Sequence, residues 1–452
     1  MKNDNKLKVG VAHIGQKDLN LKLSTVFTGK LIDEIKKLGL SVSGNVKPIE
    51  TDTDAIEAVN KFKKDEIDVL LIVNGTWTND EIGVRLASTD VPIMMWSIPE
   101  PLTGRFVELA SLVGLTQNGS TLGRLGYKLE VAAADFNDKN SLDKLKKLTV
   151  ASSIVRKIRN ARLGFIGDSG SPGMLDTEFN QLTLKKRLGS DVIRITIEDF
   201  IEKIKKIKDT QVEKVITELN PLMPPPPKEL IIKFKECIKI FIAIKDWVTE
   251  ENIDAFAFRC WPELKDLGIY CPCLGLSLIS SMGIQASCEG DIPGALSMLL
   301  LSSLSQKPSY LSDLTRIEEK EKVIYYFHCG AAAPQLAGEN TICYKTHTYS
   351  AWNPGITVEF PLKPGPITFA RIEELLDGSY MLITYSGEAI QTDMVCAGNP
   401  MKAKFATSPI AIVKKLVNSG SGHHQVCTYG NFTKELKIIA EMLDIKFIEA
   451  ER

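Results

Sequence analysis

Short apolar runs, each followed by a stretch with helical spacing, recur along most of this chain and restrict it to strand–helix alternation. Lys8–Ile14 is the first such run, of the kind that forms a strand buried on both faces. Leu23, Phe27, Leu31, Ile35 and Leu38 then recur at the spacing of one helical face. A second helix is expected over Thr53–Phe62, with Asp54 three residues before Glu57 as a start resembling a capping box. Val69–Val73 and Val91–Trp96 are further strands, and both run into polar loops that carry tryptophan, Trp77 and Trp96. Gln117-Asn118-Gly119-Ser120 is read as the opening of the next helix, with Ser120 as its cap. Such alternation argues for a parallel sheet covered on both faces. The pattern pauses at the charged stretch 135–147 and restarts at Arg162–Gly167, with later strands at 191–197, 254–258 and 283–286. Pro224–Pro227 cannot continue a helix and precedes a long helical segment, 228–249.

After Asp313 the texture changes. The runs 323–327, 341–348, 356–360, 367–372 and 381–385 are short, β-branched and aromatic, separated by turns such as Asp377-Gly-Ser. That spacing suggests antiparallel strands. A helix, 433–443, and a last strand, 445–448, close the chain. The expected fold is therefore α/β: two doubly wound parallel-sheet domains, 1–157 and 158–305, followed by an antiparallel β-barrel-like domain, 306–452.

Charge and cysteine usage narrow the function classes. Lysine and arginine number 55 against 56 acidic residues, for a net charge of −1, which provides no bulk attraction for nucleic acid or an anionic membrane. The most apolar helical run, 295–304, is far short of the roughly 20 residues of a membrane span. The first residues lead into a strand with no apolar signal-peptide region, and nine scattered cysteines read as reduced thiols of a cytoplasmic protein. Cys271-Pro-Cys273 lacks zinc-ribbon spacing and is read as buried thiols.

The chemistry-bearing residues gather late in the chain. Glu289 and Asp291 sit just past a strand end, where open α/β sheets bind ligands. Pro293 opens the next helix and Asp291 is its natural N-cap, whereas Glu289 has no such obvious duty. Asp313, His328 and the pair His423-His424 follow from separate segments. Two carboxylates with imidazoles suit a divalent ion of the manganese type, and the scarcity of thiolates in the set argues against structural zinc. Each residue also has a plain structural use. Glu289 could share the capping, Asp313 could end a turn, and His328 could be a satisfied core histidine. If His423 and His424 lay on a strand, one would point away from any site. The turn Asp168–Met174 has glycines, but not in the dinucleotide-binding pattern.

Ser287-Cys-Glu289-Gly-Asp291, Tyr310-Leu-Ser-Asp313, His328-Cys-Gly and Gly422-His-His424 together resemble the active-site motifs of L-fucose and L-arabinose isomerases. The resemblance extends to Asn74-Gly-Thr-Trp-Thr, Gln117-Asn-Gly, Ile166-Gly-Asp and the β-rich end. It implies a homotrimer or homohexamer holding Mn²⁺, or another divalent ion such as Mg²⁺ or Co²⁺, and acting on a small sugar. Glu289, Asp313 and His424 would be metal ligands, the first two also base and acid. His328 matches an additional histidine of the arabinose isomerases. Trp77 and Trp96 would offer apolar faces to sugar C–H groups, with Asn118 and Met174 completing the substrate contacts. The chain is shorter than fucose isomerases, and Asp313 stands where arabinose isomerases have glutamate. The activity implied is aldose–ketose interconversion through an enediolate. A non-catalytic sugar-binding protein and a metal-dependent hydrolase or epimerase are the alternatives.

Overall fold

The computed structural model of the chain describes residues 7–451 except Arg105, Ser169, 220–222, Glu263, Asn340 and 349–353. It divides into two compact units, Met1–Ser153 and Ile154–Arg452. The charged stretch after Asp135 is occupied by a helix, Lys139–Arg159.

In the first unit, five parallel strands lie in the order Ser41–Gly44, Lys8–Ile14, Val69–Asn74, Ile93–Ser97, Leu129–Ala133. The three central strands are almost wholly buried, as continuous apolar runs on a two-sided sheet must be. The second strand in sequence lies on one side of the first and the third on the other. The loops after Ile14 and Asn74 therefore leave the sheet at its switch point. The capping box of the second helix is Thr51 with Asp54, one turn earlier than the Asp54–Glu57 pair read from sequence, and the helix spans Asp52–Lys64. The helix expected to open near Gln117 instead spans Ser111–Arg124. Its start is hidden in sequence because a remote side chain serves it: Glu100 accepts the N–H of Ala110 at 2.8 Å. Ser111 Oγ accepts from the Ile98 N–H at 2.7 Å and donates to the Asn74 carbonyl.

The second unit begins with a four-stranded parallel sheet, ordered Asp191–Ile195, Arg162–Ile166, Ala255–Phe258, Gln285–Ser287. The helix Ile292–Ser305 follows, capped by Asp291, which accepts the Gly294 N–H at 2.8 Å. Ser297 Oγ on this helix accepts the N–H of Ile372, joining it to the strand Gly365–Glu374. That strand belongs to a mixed seven-stranded sheet, in the order Gly365–Glu374, Gln425–Tyr429, Tyr310–Glu318, Val323–Phe327, Met401–Lys404, Tyr380–Ile390, Lys446–Glu449. Gly365–Glu374 pairs with Tyr380–Ile390 as well, so six antiparallel strands form a circuit, and Lys446–Glu449 joins in parallel. Asp313 thus lies on a strand rather than ending a turn.

His13, fully buried at the end of the first strand, contacts the Val46 carbonyl at 2.8 Å and Ser24 Oγ at 3.0 Å. Burial holds its pKa below the ordinary 6.5. A histidine buried neutral binds fewer protons folded than unfolded, so its contribution to stability is full above pH 6.5 and is lost as pH falls below it. The stability difference between wild type and His13→Asn, from urea unfolding, should shrink steadily between pH 7 and pH 5.

Candidate metal and proton-transfer site

The turn after Ser287 is built to present Glu289. Its backbone is left-handed, with φ 59°, a conformation that costs a non-glycine residue roughly 1–2 kcal/mol. Gly290 continues the turn at φ 72° and donates its N–H to the Phe258 carbonyl at 3.0 Å. A strained glutamate so anchored at a strand end is typical of a functional position.

Strand register delivers the other three residues. Tyr310–Glu318 lies between Gln425–Tyr429 and Val323–Phe327, with Ser312 opposite Gln425 and Asp313 opposite Phe327. His424 immediately precedes the first neighbour and His328 immediately follows the second, so both imidazoles arrive beside Asp313. Both histidines are buried, whereas the Asp313 side chain is 33% exposed. His424 Nε2 lies 3.2 Å from Glu289 Oε2, without hydrogen-bond alignment, and 3.9 Å from Asp313 Oδ1. The imidazole rings of His328 and His424 are 5.6 Å apart.

Asp313 Oδ1, His328 Nε2 and His424 Nε2 are buried and have no hydrogen-bond partner among the described residues. Donor atoms of Asp313, His328 and His424 lie within 4.8 Å of one another, as do those of Glu289, His423 and His424. Orphaned polar atoms that converge in this way are costly unless something binds them. Carboxylate oxygens and imidazole nitrogens form a donor set that a divalent cation fits.

Behind the cluster, His424 Nδ1 meets Asp291 Oδ2 at 2.9 Å, which leaves Nε2 directed at the centre. Asp291 therefore both caps the helix and orients an imidazole. The pair precedes its strand, with His423 on a bend, so the alternation that would turn one of the two away on a strand does not apply. His423 Nε2 is 3.9 Å from Glu289 Oε2, and Asp176 accepts both its backbone N–H, at 2.8 Å, and its ring Nδ1–H, at 2.7 Å.

Burial alone would raise the Glu289 carboxyl, but the neighbouring His423 and His424 rings hold it well below its usual range. Burial likewise opposes ionisation of Asp291, and the Arg371 guanidinium overcomes it. For His424 burial lowers the pKa, yet the Asp291 and Glu289 carboxylates push it up to about 10. His328 is lowered by burial, with Asp313 opposing the shift.

The expected substrate contacts divide. Met174 is half-buried two residues before Asp176, at the edge of a 3-10 turn, Leu175–Thr177. Trp77, in the first unit, is half-buried, and its indole N–H donates to Gln117 at 2.7 Å. Trp96 corrects the sequence reading: it is fully buried on a central strand, with its N–H on the Ala134 carbonyl, and presents no face to solvent. Asn118 is corrected likewise, being buried within its helix and donating to the Gly114 carbonyl. Residues missed in sequence are Asp176, Arg371 and Glu373. Only Arg371 left a signal there, as a lone cation inside an otherwise apolar strand pattern. A second grouping, Cys271, Cys273 and His347, is buried with its donor atoms within 4.8 Å.

Residues 326–451 match the family described as L-fucose isomerase, C-terminal domain. That match covers the C-terminal part of the chain and agrees with the resemblance to L-fucose and L-arabinose isomerases carried by its motifs. Along nearly its whole length it is similar to sulfoquinovose isomerases. That of Priestia aryabhattai is 25% identical over 443 residues, covering 96% of this chain and 97% of the relative. That of Alkalicoccus urumqiensis is 25% identical over 411 residues, covering 89% and 90%. The L-arabinose isomerase of Thermotoga petrophila is 24% identical over 179 residues, covering 39% of this chain and 36% of the relative.

Gly398 packs against the residue that carries one of these imidazoles: with φ at 92°, a Cβ there would lie 2.1 Å from the His328 carbonyl oxygen. Gly398→Ala must displace the His328 backbone. A lowered thermal unfolding midpoint is expected, together with a changed environment at His328 in histidine-labelled NMR spectra.

Proposed function

We propose that this chain is a divalent-cation-dependent aldose–ketose isomerase working on an open-chain sugar through an enediolate. The observation that carries the reading is the convergence of unpartnered Asp313 Oδ1, His328 Nε2 and His424 Nε2 beside the strained Glu289. These residues would hold the ion, with Mn²⁺ the first choice and Mg²⁺ or Co²⁺ the alternatives. When bound, a divalent ion supplies Lewis-acid stabilisation of negative charge developing on the sugar oxygens.

The chain's own residues do the rest. Glu289, kept ionised by its histidine neighbours, takes the C2 proton as base, and Asp313 serves the neighbouring carbon as its acid partner. Asp291 holds the His424 ring in place. Met174, two residues before the Asp176 that holds His423, is assigned a contact with the sugar. The family resemblance supports a homotrimer or homohexamer, and the nine free cysteines support a cytoplasmic setting. Sulfoquinovose heads the list of substrates to test, since the relatives similar over most of this chain are named for it.

The test is incubation with Mn²⁺ in D₂O and a panel of sulfoquinovose, L-fucose, D-arabinose and L-arabinose, following deuterium at C2 and ketose formation. Exchange with ketose on one sugar supports the reading. Bound metal with no exchange on any sugar favours a hydrolase, and neither metal nor exchange favours a sugar-binding protein. Glu289→Gln should lower turnover by at least about 100-fold, the lower end of what a positioned acid–base group contributes. Its unfolding midpoint should stay near that of wild type; full activity in this variant would remove Glu289 from the mechanism.

A further inference from the structure

Behind His424 runs an enclosed chain of charges that the proposed reaction does not touch. Asp291 accepts two hydrogen bonds from Arg371, Nη1 to Oδ2 at 2.7 Å and Nη2 to Oδ1 at 3.0 Å. Arg371 Nε donates to Glu373 Oε1, and the same oxygen accepts the Gly422 N–H at 2.6 Å. Gly422 is two residues before His424. The chain is thus a closed circuit: Glu373 grips the backbone that carries His424, and Arg371 grips the carboxylate that orients its ring. There is no slack in it, because a Cβ at Gly422 would lie 2.8 Å from Arg371 Nη2 and 2.9 Å from Glu373 Oε1. Arg371 and Asp291 are essentially without solvent exposure, and Glu373 is nearly so.

We propose that Arg371 and Glu373 are positioning residues for the cation site, fixing the direction of His424 Nε2 through Asp291 and through the Gly422 backbone. This rests on the cation-dependent reading above. A two-pronged guanidinium–carboxylate pair restrains orientation as well as charge, which a lysine ammonium does not reproduce. A merely structural salt bridge would join the strand Gly365–Glu374 to the helix start at Asp291 and leave metal affinity alone.

Mn²⁺ titrations, followed by the electron paramagnetic resonance of free ion, separate these roles. They would be run on wild type, Arg371→Lys, Glu373→Gln and the double variant, with thermal unfolding of each cation-free protein alongside. Each single variant should weaken Mn²⁺ binding by roughly 10- to 100-fold, the usual effect of losing a partner that orients a metal ligand. The double variant should be little weaker than the weaker single one, because both act along one chain of contacts. Single variants that unfold cooperatively and bind Mn²⁺ like wild type would overturn the positioning role while leaving the cation site standing. Additive losses in the double variant would also overturn it. If wild type binds no Mn²⁺, the cation reading falls and this inference with it. Should Arg371→Lys fail to fold, Glu373→Gln decides alone, since it keeps the side-chain shape and an acceptor for Gly422.

Discussion

His424 is held between two carboxylates, Glu289 on the side of the ligand centre and Asp291 behind, in a place water does not reach. Ions removed from water lose hydration worth several kcal/mol each, so burial on this scale persists only where every charge is answered. Asp291 is answered by Arg371, and Arg371 by Glu373. The glutamate in turn takes the backbone N–H of Gly422. The parts of the second unit that carry these groups are therefore bound to a common geometry. They are the start of the helix Ile292–Ser305, the strand Gly365–Glu374 and the bend before Gln425.

The same geometry depends on register. Asp313, His328 and His424 meet because Tyr310–Glu318 pairs with one neighbour at Ser312 and with the other at Asp313. A slip of one residue would turn Asp313 to the opposite face of the sheet and separate the donors. Ser297 ties the helix to Ile372 on the strand that carries Arg371 and Glu373, so the charged chain and the sheet hold each other in place. The strained backbone at Glu289 is tolerated inside this frame because Gly290 and its bond to Phe258 leave the turn little freedom.

Much of this was legible in the residues, and the failures have identifiable causes. The buried parallel strands announced themselves as apolar runs, and the Asp291 cap followed from Pro293. Glu289, Asp313, His328 and His424 were legible as a set through family motifs, not through spacing, since they come from four separate segments. The start of the helix around Asn118 leaves no local trace, because Glu100, from a separate loop, supplies the acceptor that a local cap residue usually supplies. Trp96 looked like a loop residue at a strand end, but its ring turns into the core and finds the Ala134 carbonyl. Asp313 was indistinguishable from a turn residue until its pairing partners were known.

What the sequence by itself determined is the local order: alternating strands and helices, a β-rich C-terminal part, and side chains of the right chemistry for a cation and a proton transfer. These follow from periodicity and residue type, which act over a few neighbours. Tertiary structure alone decided that His423 turns towards Glu289, that Asp291 serves both a helix end and an imidazole, and that Arg371 and Glu373 stand behind it. Those outcomes depend on partners some 80 to 250 residues apart, such as Arg371 with Asp291 and His423 with Asp176. Contacts of that range are set by sheet register and by the need to pair every buried charge, and neither leaves a periodic trace along the chain.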